Sequence, residues 1–82
     1  MAKKYVTFTY PRELIKEPII HNLGLQFNII TNILRADISP DRGWVALELE
    51  GDESDIEQGI SWVTSRGVRV EPASEELREG QP

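Results

Sequence analysis

The 82-residue sequence predicts an α+β fold, and three observations lead there. Four segments alternate β-branched, aromatic and aliphatic residues with polar ones at the two-residue period of a strand. Two others carry apolar residues three and four apart, the period of an amphipathic helix. Proline and glycine stand at the junctions, where turns and caps need a fixed or a left-handed backbone. The length suits one domain, and a domain this small buries only about 60% of the surface its unfolded chain exposes.

From Lys4 the first strand sets Val6, Phe8 and Tyr10 on one side and Tyr5, Thr7 and Thr9 on the other, and Pro11 stops it because proline has no N–H to donate. A connector carrying Leu14 and Ile15 leads to Pro18, placed as the first helical residue. Ile20, Leu23 and Phe27, with Ile19 beside them, give a helix over 18–27. "FNIITNILRADI" follows as a long strand. Its alternation puts Ile30, Asn32, Leu34, Ala36 and Ile38 toward the core, and Ile29, Thr31, Ile33, Arg35 and Asp37 on the other face.

"SPDRG" is a turn built from proline, aspartate and glycine, and "WVALELE" resumes the alternation with Val45, Leu47 and Leu49 inward. "SDIE", from Ser54 to Glu57, has the form of a capping box, and Asp52, Glu53 and Asp55 complement the positive end of the helix dipole. Ile56, Ile60 and Val63 mark the buried stripe of this helix, 54–66, and Gly67 supplies its left-handed cap. "VRVE", 68–71, is a short last strand ended by Pro72. The domain is expected over 1–71, and 72–82, without an apolar face, as a flexible tail.

Strand, helix, strand, strand, helix, strand, joined by right-handed crossovers, is the ferredoxin-like arrangement: a four-stranded antiparallel sheet with both helices on one face. The expected core is Val6, Phe8, Ile20, Leu23, Leu34, Ile38, Val45, Leu47, Ile56, Ile60 and Val63. The second face of the sheet is left open.

Several functions are disfavoured by composition. The net charge is −5 and the basic residues are scattered, so the counterion release that drives nucleic-acid binding is missing. There is no cysteine, hence no disulfide, thiolate metal site or iron–sulfur cluster on these residues. No apolar run approaches the 18 or more residues of a membrane span and no signal-peptide pattern opens the chain, so a cytoplasmic protein without membrane insertion is expected. His21 is the only histidine and has no partner at metal-ligand spacing. No nucleophile with its base, carboxylate pair or phosphate loop stands out, so neither an enzyme nor a cofactor is expected.

Two features remain. Asn32 is an amide in a strand, where asparagine is depleted. It either contacts a ligand, having two donors and two acceptors, or bonds neighbouring backbone and fixes the strand's register. Trp44 and Ala46 fall with Ile29 and Ile33 on the open face, and a contiguous apolar patch of this kind marks an interaction surface unless the tail covers it.

Asn32, Ile33 and Leu34, followed by "RADI", the turn, Gly43 and "ALELEGDESDIEQGISWVTSRGVRVE", resemble the NIL domain, a family named for that tripeptide. The resemblance covers about Val6 to Glu71. It implies a regulatory domain of the kind found at the C-terminus of methionine-importer ATPases, in which two sheets associate and methionine binds near their interface. Asn32, Ile33 and Leu34 are then the implied ligand-binding residues. No ATP-binding segment lies within these residues, so the resemblance implies a stand-alone module. The expectation is a homo-oligomer, a dimer by default, that senses a small amino acid. The alternative is an adaptor that binds another protein and no small ligand.

Overall fold

The computed structural model describes residues 1–74. Strand β1 runs Ala2–Tyr10, helix α1 Ile19–Phe27, β2 Ile30–Ile38, β3 Gly43–Gly51, helix α2 Glu53–Ser65 and β4 Arg69–Pro72, with a single 3-10 turn at Arg12–Leu14. The strands pair antiparallel in the order β2-β3-β1-β4. This is the ferredoxin-like arrangement expected from the sequence. The long central strands β1 and β3 pair along their whole length, from Ala2 opposite Gly51 to Tyr10 opposite Gly43.

The helix ends differ in detail from the sequence reading. Pro18 is the N-cap of α1 rather than its first helical residue. Asn28 ends that helix in the left-handed conformation at φ 55°, a region asparagine tolerates better than most residues. The capping box does not form: α2 starts at Glu53, its N-cap is Asp52, and no side chain caps it. Ser54 therefore lies inside the first turn, and Glu53 and Asp55 are left to favour the exposed amides through the dipole. At the other end Gly67, at φ +103°, closes the helix as expected. Its N–H reaches the Thr64 carbonyl at 3.0 Å and that of Val68 reaches Val63 at 3.4 Å, the two bonds of a Schellman cap.

Val6, Phe8 and Tyr10 of β1 and Val45, Leu47 and Leu49 of β3 meet Ile19 and Leu23 of α1 and Ile56 and Val63 of α2 in one cluster, which also takes in Ile29 and Val68. Ile20 and Ile60, expected in the centre, are only partly buried at its margin. Ile38 is 58% exposed, and Leu34 is half-buried outside the cluster. Both lie on β2, the sheet edge, where Thr31 and Leu34 are the only residues even half covered.

The phase of β2 needs the largest correction. Ile33 pairs with Leu47 and Arg35 with Ala46, so Leu34 is an extra residue with no partner opposite, a β-bulge. Directly paired residues share a face. Before the bulge Thr31 and Ile33 therefore lie on the helix side, with Leu49 and Leu47, while Ile30 and Asn32 lie on the open side, opposite Glu50 and Glu48. After it Ala36 and Ile38 face the helix side and Arg35 and Asp37 the open side. Strict alternation over the whole strand thus misplaced Ile30, Thr31, Asn32 and Ile33, because one inserted residue reverses the phase on one side of it. Ile29, expected on the open face, is 5% exposed and belongs to the core, just ahead of the strand.

At the far edge Pro72 still pairs with Val6, and Ala73, itself buried, donates its N–H to the Tyr5 carbonyl at 3.1 Å. The rest of the expected tail, 75–82, lies outside the described residues.

Candidate functional site

Strand β2 walls two clefts on opposite faces of the sheet. On the helix side Ile33, Ala36 and Ile38 converge with Tyr10, Val45 and the start of α1 at Ile19, Ile20 and His21 around about 220 Å³ of space. The lining is mainly aliphatic, with Glu17 at one side. The Glu17 carboxylate accepts a bond from Arg66, whose guanidinium also sits 6.0 Å above the Trp62 ring. Trp62 in turn packs on Phe27 at 5.7 Å, so this arrangement ties α2 to α1 and to the segment leading into it. Burial pushes the Tyr10 hydroxyl pKa up to about 12. The cleft can hold an aliphatic group but offers few polar contacts.

On the open side Asp37, Trp44 and Thr9 stand in one row across β2, β3 and β1, each directly opposite the next. With Ser39, Arg42 and Gly43 of the hairpin turn they line about 490 Å³. The turn is held closed by the Ser39 N–H on the Arg42 carbonyl at 2.8 Å and by the Ser39 hydroxyl, which donates to that carbonyl at 3.0 Å and accepts from the Arg42 N–H at 3.3 Å. Among the described residues neither Asp37 nor Arg42 forms an ion pair. Asp37 and Arg42 give this cleft residues of both charges, whereas the acidic residue of the other, Glu17, is already paired with Arg66.

The tripeptide does not converge on one place. Asn32 is exposed on the open face opposite Glu48, Ile33 is 57% exposed on the helix side, and Leu34 is the bulge. Asn32 and Leu34 line neither cleft, whereas Ile33 lines the aliphatic one. Of the expected interface residues, Trp44 and Ala46 are on the open face as predicted, although Ala46 is completely covered, and Ile33 is on the opposite face from both. Asp37 and Arg42 were missed: "SPDRG" signals a turn, and nothing in its spacing shows that the turn brings Arg42 into one cleft with Asp37 and Trp44. No group of three histidine, cysteine, aspartate or glutamate residues that could hold a metal occurs among the described residues. Among the same residues no helix is long and apolar enough to cross a membrane.

Residues 4–72 match the NIL domain. The chain belongs to the NIL domain family. This member is 28% identical over 72 residues to the methionine import ATP-binding protein MetN of Bacillus subtilis, a stretch that is 83% of this chain and 21% of that protein. It is also 29% identical over 76 residues to the L-aspartate semialdehyde sulfurtransferase iron-sulfur subunit of Methanocaldococcus jannaschii, covering 93% of this chain and 57% of that one. The chain thus spans about a fifth of the length of the importer protein and somewhat over half that of the sulfurtransferase subunit. Among solved structures, the C-terminal domain of an ABC transporter ATP-binding protein from Enterococcus faecalis superposes with a TM-score of 0.77 over 89% of this chain and 86% of that one. At 23% identity that likeness is one of fold.

Proposed function

We propose that this NIL domain is a non-enzymatic regulatory module that binds a small amino acid, methionine or one similar to it, and works as a homo-oligomer in the cytoplasm. The observation that carries the reading is the family match over residues 4–72, shared with proteins whose names place them in methionine import. The geometry supports a ligand at β2, because that strand walls one cleft suited to an apolar group and another suited to charge. Asn32 is the contact that the family resemblance favours.

Calorimetry with methionine tests this. Binding near micromolar affinity corresponds to about −8 kcal/mol. Asn32→Ala should lose about 1–3 kcal/mol of it if the amide pairs with the ligand. Methionine at millimolar concentration that gives neither heat nor a shift in melting temperature would reject amino-acid sensing.

The adaptor reading is favoured by a different observation, the exposure of Ile30, Ile33 and Ile38 at 57–58% along β2, the outermost strand of the sheet. On that reading the ligand is a protein strand or surface.

A further inference from the structure

We infer that the second half of β2 is a seam between two copies of this chain: it pairs antiparallel with itself about a two-fold axis at Ala36, so that Arg35 of each copy stands opposite Asp37 of the other. The inference rests on the homo-oligomer of the proposed function and says how its two copies meet. Asn32 lies ahead of the bulge, outside the paired stretch.

Strand β2 is outermost on its side of the sheet, and an outermost strand offers backbone donors and acceptors to another chain. The bulge at Leu34 divides it. Ahead of the bulge, 30–33 carries no charged side chain that could fix a register, whereas 35–38 carries two of opposite sign. Residues paired across a continuous sheet share a face. Arg35 and Asp37 are on the open side and Ala36 and Ile38 on the helix side, so the axis must pass through a residue and not between two. Through Arg35 it would set two guanidiniums opposite each other, and through Asp37 two carboxylates; like charges directly opposite oppose pairing. Through Ile38 it would bring Pro40, which has no N–H, opposite Ala36. Through Ala36 the smallest side chain of the strand meets itself, two Arg–Asp pairs form on the open side, and the exposed Ile38 comes opposite Leu34. The guanidinium fork matches a carboxylate, and covering Ile38 removes apolar surface from water. The other outermost strand, β4, has a similar triplet in Arg69, Val70 and Glu71, but it spans only 4 residues, ends in Pro72, and its two charges already pair with each other at 3.5 Å.

The test is charge exchange across the axis, read by analytical ultracentrifugation of the intact chain at tens of micromolar. Wild type should sediment as a dimer. Arg35→Asp and Asp37→Arg should each sediment as monomers, because either change alone sets like charges opposite each other on both sides of the axis. Mixing the two variants should restore a dimer of one with the other, and the chain carrying both changes should dimerise with itself. Ala36→Cys, in a chain with no other cysteine, should form a disulfide-linked dimer under mild oxidation, since opposite residues of antiparallel strands lie within disulfide reach. Glu48→Cys, on the neighbouring strand β3, should not. The substituted residues of β2 are all exposed, and melting curves check that the variants fold. Single-charge variants that stay dimeric, a mixture that recovers no dimer, or loss of the dimer with Arg69→Glu instead would overturn this seam and leave the homo-oligomer standing. A wild-type monomer would overturn both.

Discussion

Tyr10 ends β1 with its ring edge-on to Phe8 at 6.4 Å, and its hydroxyl keeps its proton up to about pH 12 because the buried phenolate would lose its hydration. An unfolded tyrosine titrates near pH 10. A folded-state pKa above the unfolded one means that the contribution is complete below pH 10 and is lost as pH rises toward 12. Between pH 9 and 12 the wild type should therefore lose roughly 2 kcal/mol more stability than Tyr10→Phe, measured by urea unfolding at each pH. Equal alkaline losses in the two proteins would count against burial of the hydroxyl. Asn32 teaches the opposite lesson at the same scale. Its identity was legible and unusual, but its face was not, because the bulge at Leu34 leaves no mark in a run of alternating residues.

Among the elements, the two helices are held close by Gly59 of α2. A Cβ there would come within 2.7 Å of both Leu23 and Ile29 and 3.6 Å of Phe27. Alanine favours a helix over glycine by about 1 kcal/mol, but the crowded methyl would have to displace two core side chains at once. Gly59→Ala should therefore lower stability by about 1–3 kcal/mol in chemical denaturation, the usual range for overpacking. A variant more stable than wild type would mean that the interhelical seam has slack. The helices themselves were readable from the spacing of Leu23, Phe27, Ile56 and Val63. Their first residues were not, since Pro18 and Asp52 both became N-caps and the apparent capping box at Ser54 begins two residues too late.

For the molecule as a whole, the position of β2 as the outermost strand bears on self-association. Face-to-face stacking of two open sheets cannot bury Ile33 and Trp44 together, because they lie on opposite sides. Pairing of β2 with a second copy would cover the exposed isoleucines of both faces, in the manner of an added strand. We therefore expect a dimer by light scattering at tens of micromolar, and Ile33→Lys should shift it toward monomer, since a charge at an edge opposes pairing. A wild-type monomer at that concentration would defeat this mode of assembly.

The order of elements, the ferredoxin-like topology, most of the core on β1, β3 and α2, and the NIL resemblance can all be read along the chain. These follow from periodicity, turn chemistry and a motif, all of which are local along the chain. The phase of β2, the burial of Ile29, the exposure of Ile38 and the meeting of Asp37, Arg42 and Trp44 in one cleft emerge only in the folded molecule. Each of these depends on what lies opposite a residue. Cross-strand register, edge position and the path of a hairpin set that partner, and none of the three is encoded in the spacing of a single strand.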